Sequence, residues 1–214
     1  MATKSRLKLL FDFDGTVCSV ETIPYVATAL CLPSAAEIAS LTECSGTLTD
    51  DYDSNLRLRI NLMKEVSVYD FARLLPSQLL RPAIAGFISS HPELCAIASC
   101  NLDCWISHLI RHLGIPSHLS KAIVTEGCAT DIEYITDKAA VVRDYRRKGY
   151  RVVFIGDSAS DLQAMGEADA GILLAFPQKT PNNIDSRINV VSSEIELLTL
   201  LETFIAGQGA ETYH

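Results

Sequence analysis

Two aspartates, two residues apart, end the apolar run LLFDFDGTV as Asp12 and Asp14. A second acidic pair, Asp157 and Asp161, follows another apolar run in FIGDSASD. Residues i and i+2 of a strand share a face, so Asp12 and Asp14 would point together until Gly15 and Thr16 turn the chain. Asp157 and Asp161 stand one turn apart at the start of a helical segment and can face one site. Crowded carboxylates are costly unless a cation joins them, and an all-oxygen donor set suits Mg²⁺. Each pair also has a plainer reading, as solvated aspartates at a strand end or as acidic residues suiting a helix dipole. Two acidic strand ends in one sheet favour the shared metal site.

Two more residues fit the same place. Ser99 follows the apolar run LCAIA and precedes a helical stretch starting near Leu102. A hydroxyl and free backbone N–H groups there could hold a phosphate. Lys138 lies early in the helical stretch Thr136 to Lys148 and could supply the compensating charge. Taken singly, the serine reads as a helix cap and the lysine as a solvated surface residue.

These residues need a scaffold that brings strand ends together. Short apolar runs at Lys8–Phe13, Leu94–Ala98, Arg151–Ile155, Ala170–Leu174 and Ile188–Val191 read as strands. Helical patterns lie between them at Pro82–Ser90, Leu102–Leu113 and Thr136–Lys148, and a last helix opens at Ser193. Buried strands alternating with helices predict an α/β fold, a Rossmann-like doubly wound parallel sheet whose carboxyl strand ends form the ligand crevice. From Val17 to about Leu80 no strand pattern appears, while ETIPYVATAL and SNLRLRINLMKEV look helical. The expected division is a core of residues 1–16 and 81–214 with a helical cap of residues 17–80 inserted after the first strand.

Bulk properties narrow the class. The 214 residues are 48% hydrophobic and carry a net charge of −8, which argues against nucleic acid or an anionic membrane as partner. No apolar run near the start is long enough for a signal segment or a membrane span, so a cytoplasmic protein is expected. Seven scattered cysteines then read as reduced thiols. Cys100 and Cys104 are spaced like a metal pair, but no histidine or second cysteine pair completes a zinc site.

In their order and spacing, DFDGT, Ser99, Lys138 and GDSASD resemble the haloacid dehalogenase superfamily, and the helical insertion resembles the cap of its phosphoserine phosphatase branch. The resemblance implies Asp12 as nucleophile, Asp14 as general acid and base, and Mg²⁺ held by Asp12, the Asp14 carbonyl and Asp157. It implies phosphate contacts from Ser99, the backbone at Cys100 and Lys138, with Ser160 and Asp161 behind them. Within the insertion, CSVETI and SNLRLRINLMKE resemble segments that carry a substrate-binding glutamate and arginine, here Glu21 and Arg59. Departures from that branch are Cys100 and Asn101 in place of two glycines, Ser160 in place of asparagine, and Gly15 where serine is frequent. The bulkier pair reshapes the substrate end of the site, so Asn101 is taken as a substrate-binding candidate. The implied activity is phosphatase action on a small phosphorylated metabolite such as phosphoserine. The rivals are a phosphotransferase or phosphomutase on the same scaffold and a non-catalytic receiver-like module. A receiver would carry its phospho-acceptor mid-chain and no large helical insertion.

Overall fold

The computed structural model describes residues 6–44, 51–175 and 184–210. Its first strand, β1 (Arg6–Phe11), is buried on both faces. Leu7, Leu9 and Phe11 enter one hydrophobic cluster and Leu10 the other, the period-two split of a strand covered on both sides. The ladder ends where the Asp12 amide donates to the Ile155 carbonyl at 2.8 Å. Phe13–Val17 then form an irregular tight turn, so the expected strand stops two residues early.

The other strands are β2 (Cys95–Leu102), β3 (Ser117–Thr125), β4 (Cys128–Tyr134), β5 (Tyr150–Gly156), β6 (Ala170–Leu174) and β7 (Ile188–Val191). They form one sheet in the order β4-β3-β2-β1-β5-β6-β7, parallel except for the β3–β4 pair. β1 therefore lies between β2 and β5, and three carboxyl strand ends open side by side. The cluster on one face includes Trp105, Ile106 and Leu109 of α6 (Asp103–Leu113), with Ile84 of α5 (Pro82–Ser90). The other face is covered by α7 (Lys138–Arg147) and α8 (Leu162–Glu167) through Ala139, Val142, Ala164 and Met165. This is the doubly wound α/β sheet that the strand–helix alternation predicts.

Among the described residues between β1 and α5 are the α-helices α1 (Thr22–Ala29), α2 (Ala35–Cys44), α3 (Asp51–Leu62) and α4 (Val68–Leu74). The two chain crossings that join them to the sheet run side by side, with Cys18 bridged antiparallel to Leu80. The Ser19 amide donates to the Leu79 carbonyl at 2.8 Å, and the Arg81 amide to Val17 at 2.9 Å. Phe71 of α4 stacks on Trp105 of α6 with ring centroids 4.4 Å apart, an apolar contact between the inserted helices and the sheet layer.

The β3–β4 hairpin is absent from the sequence reading. Its strands are half exposed, with no long continuous apolar run to mark them. The available signal was the Glu126–Gly127 pair, whose positive φ angles of 51° and 81° make a two-residue hairpin turn between Thr125 and Cys128. The hairpin meets the inserted helices: the Val68 amide donates to the Gly127 carbonyl at 2.8 Å, and Arg57 pairs with Asp131 at 2.7 Å. Among the described residues no helix is long and apolar enough to cross a membrane.

Candidate active site

Asp12 sits just past the end of β1 and is 5% exposed. Asp157 follows β5 immediately and is 6% exposed, so neighbouring parallel strands deliver both carboxylates to one crevice. With Asp161, which is fully buried, they bring carboxylate oxygens within 4.8 Å of one another. Lys138, the first residue of α7, reaches into this cluster, with Nζ 2.8 Å from Asp12 Oδ1 and 2.7 Å from Asp161 Oδ1. Asp137 caps that helix by accepting from the Ala140 amide at 3.0 Å, which fixes where α7 starts and hence where Lys138 points.

Asp161 is held on its other side as well. Its Oδ2 accepts from the Ser158 hydroxyl at 2.9 Å and the Ser158 amide at 3.2 Å. Ser160 acts one step further out, its hydroxyl 2.7 Å from that of Ser158. With both oxygens engaged, Asp161 anchors Lys138. A Cβ on Gly156 would collide with the Asp161 side chain, so that glycine is required for the close approach.

The turn after Asp12 is built around Asp157. Gly15 adopts φ 68°, and a Cβ there would strike the Asp157 carboxylate. Thr16 donates to Asp157 Oδ1 at 3.1 Å, a contact the sequence reading missed although Thr16 belongs to the DFDGT motif. Arg81, also missed, donates to the Gly15 carbonyl at 3.2 Å and pairs with Glu194 at 3.2 Å, tying the turn to the last helix, α9 (Glu194–Ala210).

Ser99 lies within β2, just before its register shift, is 2% exposed and accepts from the Asn101 amide at 3.2 Å. The β2–β3 register shifts between Ser99 and Leu102, so Cys100 and Asn101 bulge out of the ladder toward the crevice end. Ser120 supports the bulge, donating to the Cys100 carbonyl at 2.7 Å and accepting from the Thr136 amide at 3.0 Å. The Cys100 thiol donates to the Thr136 carbonyl at 3.2 Å, and Cys104 belongs to α6 rather than to the same turn.

Asn101, the substrate-contact candidate, has protein partners at both ends of its amide. Its Nδ2 donates to Asp14 Oδ2 at 2.6 Å and to Thr22 Oγ1 at 2.7 Å, while its Oδ1 accepts from the Leu102 amide at 2.7 Å. At 4% exposure the side chain is committed to Asp14 and α1, because a buried amide seeks protein partners.

Glu21 immediately precedes α1 and lies close enough to Asp14, Asp157 and Asp12 to feel their charge. Arg59 opposes that charge from α3. Leu56, Arg59, Ile60 and Met63 share one helical stripe, and all are at most 4% exposed, so Arg59 lies on the inward face of α3. It donates to Thr42 Oγ1 at 3.4 Å. Arg59 is thus buried rather than set on a solvated helix face.

The electrostatics favour a cation. Burial pushes Asp12 well above the ordinary carboxylate range, with Lys138 opposing and the charges of Asp161 and Asp157 adding to the rise. Burial likewise raises Asp14 and takes Asp157 up to about 7. Asp12 Oδ1 is also among the buried oxygens left without a well-aligned hydrogen bond. Several desolvated carboxylates around one ammonium, all offering oxygen, match the donor chemistry of Mg²⁺.

A family model described as haloacid dehalogenase-like hydrolase matches residues 9–166. The phosphoserine phosphatase of Methanocaldococcus jannaschii is 23% identical over 192 residues, covering 82% of this chain and 88% of that protein. A solved substrate-bound phosphoserine phosphatase complex superposes with a TM-score of 0.76 at 19% identity, covering 94% of this chain and 99% of the other. A phospho-aspartyl intermediate analogue of phosphoserine phosphatase gives 0.74 at 20% identity, with the same coverage of 94% and 99%. At such identities the structures speak to the fold, while the matched family spans most of the sheet and every carboxylate of the crevice. The chain belongs to the haloacid dehalogenase-like hydrolases.

Proposed function

We propose that this hydrolase is a Mg²⁺-dependent phosphatase that cleaves a small phosphomonoester, of the phosphoserine kind, through an aspartyl-phosphate on Asp12. The observation that carries this reading is the buried cluster in which Asp12 meets Lys138 at 2.8 Å beside Asp157 and Asp161. The Asp12 and Asp157 carboxylates with the Asp14 carbonyl would hold the metal. Bound there, Mg²⁺ offsets the repulsion between an anionic nucleophile and an anionic phosphate.

An Asp12 oxygen attacks phosphorus, and the ester oxygen of the substrate departs as the new bond forms. Asp14 gives its proton to that departing oxygen, then removes one from the water that attacks the aspartyl-phosphate. Lys138, the Ser99 hydroxyl and the Cys100 N–H would face the charge that spreads over the transferring oxygens. Asp161, through its 2.7 Å contact, keeps Lys138 aimed at Asp12. Glu21 and Arg59 are the groups on the inserted helices suited to an amino group and a carboxylate of the leaving group. The names of the phosphoserine phosphatases it resembles support that substrate class.

A phosphate-release screen over small phosphomonoesters tests the reading. Phosphate should appear with Mg²⁺ and no added acceptor, phosphoserine or a related amino-acid phosphate should rank high, and EDTA should stop release. Turnover that needs an acceptor alcohol would favour the phosphotransferase instead.

A further inference from the structure

Within the phosphatase reading just given, we infer that Asn101 is a positioning residue for the leaving-group acid, clamping the Asp14 carboxylate between the β2 bulge and the first turn of α1. The Leu102 amide donates to Asn101 Oδ1 at 2.7 Å, and this fixes which end of the side chain is nitrogen. The Nδ2 group has two hydrogens and spends both, one on Asp14 Oδ2 at 2.6 Å and one on Thr22 Oγ1 at 2.7 Å. The other Asp14 oxygen, Oδ1, accepts from the Thr22 amide at 3.1 Å. One amide therefore ties together the acid, the sheet and the inserted helices.

The clamp has a chemical consequence. Asp14 must lie on the leaving-group side of phosphorus when the P–O bond breaks, and the carboxylate it becomes must still face the incoming water. Asn101 donates to that carboxylate and never takes the proton, which passes from Asp14 to the ester oxygen and returns from water. The carboxyl is held at both oxygens, by Asn101 Nδ2 at 2.6 Å and by the amide of the fully buried Thr22 at 3.1 Å. Neither of the small residues that could replace Asn101, glycine or alanine, carries a donor, so the acid would lose its grip on one side.

An acid matters in proportion to how poor the leaving group is. A nitrophenolate leaves unaided, whereas an alkoxide needs its proton. Asn101→Leu, close in volume and without a donor, and Asn101→Asp, which turns the donor into an acceptor, are to be assayed on a series from p-nitrophenyl phosphate to alkyl phosphomonoesters. The expected loss in kcat/KM is at least about tenfold greater for the alkyl esters than for p-nitrophenyl phosphate, since a well-placed general acid contributes roughly 10² to 10⁴. The dependence on leaving-group pKa should steepen as it does in Asp14→Asn. Equal losses along the series, or none, would overturn the inference, and a poorly folded leucine variant leaves the aspartate variant to decide. A wild type that hydrolyses the series, with a steep Asp14→Asn and a flat Asn101 pair, would sink the clamp alone. A wild type inactive on every phosphomonoester would sink the phosphatase reading and the clamp with it.

Discussion

Asp12, the nucleophile of the proposed mechanism, combines a strand-end position, near-complete burial and a lysine at 2.8 Å. Asp12→Asn is nearly isosteric and should keep the fold while lowering turnover about a thousandfold or more, since the attacking charge and a metal ligand go together. Turnover within tenfold of wild type would exclude Asp12 as nucleophile. Arg59 makes a separate test of the cap. Arg59→Ala should lower kcat/KM for a carboxylate-bearing substrate by roughly tenfold to a few hundredfold, the loss of a charge-assisted contact of about 1.5–3 kcal/mol. On p-nitrophenyl phosphate, which offers no carboxylate, the loss should be much smaller; equal losses would assign Arg59 to the fold. The carboxylate cluster was legible because two acidic pairs, each following an apolar run, were expected at strand ends of one sheet. Thr16, Thr22 and Arg81 were not, because a threonine or arginine in sequence says nothing about which carboxylate or carbonyl it will meet, whether 8 positions away as for Thr22 and Asp14 or 141 as for Thr16 and Asp157. Asn101 was legible only as a departure. Its true partner, Asp14, appears when the β2 bulge folds it inward.

At the scale of elements, the site depends on a turn that only glycine fits. Gly15→Ala would place a Cβ against the Asp157 carboxylate on a backbone at φ 68°. The expected outcome is a thermal midpoint lowered by several degrees, from about 1–3 kcal/mol of backbone strain, together with a weaker response to Mg²⁺ as Asp157 is displaced. An unchanged midpoint and an unchanged Mg²⁺ titration would contradict the placement of Asp157 behind this turn. Strands β1, β2, β5, β6 and β7 could be read from sequence because sheet interiors demand apolar runs. The β3–β4 hairpin escaped because one of its faces is wet and its pairing is local. Only the Glu126–Gly127 turn advertises it. The inserted helices were recognisable as helical. That α3 turns Arg59 inward is a packing outcome, set by Leu56, Ile60 and Met63 on the same stripe.

Across the whole molecule, the buried acids make stability depend on pH and metal together. The pKa values of Asp12, Asp14, Glu21 and Asp157 are all raised in the folded protein, by burial first, with Asp157 reaching about 7. A raised carboxyl binds protons more tightly folded than unfolded, so its contribution is full below the ordinary carboxylate range and is lost as pH climbs through the folded value. In EDTA the thermal midpoint should therefore fall between pH 5 and pH 8, and Mg²⁺ should restore it most at the alkaline end. The exposed acids whose pKa is lowered, such as Asp185 and Asp144, act below this window and do not mask the trend. A midpoint in EDTA that rises over that range would mean the cluster is not the electrostatic burden its burial implies. Metal identity offers a further check: Ca²⁺ should bind yet inhibit, because its looser, higher coordination can capture both oxygens of the attacking carboxylate.

The central claim is a covalent phosphoryl group on one named carboxylate, and it can be read by mass. Wild-type protein mixed in excess with its best phosphomonoester and Mg²⁺, then quenched in acid within one turnover, should gain the mass of a single phosphoryl group. Borohydride should convert the modified residue to homoserine at position 12, and Asp12→Asn should show neither change. Phosphate released over the same interval with no phosphoryl group on the protein, or with the group mapped to another residue, would contradict the aspartyl-phosphate mechanism.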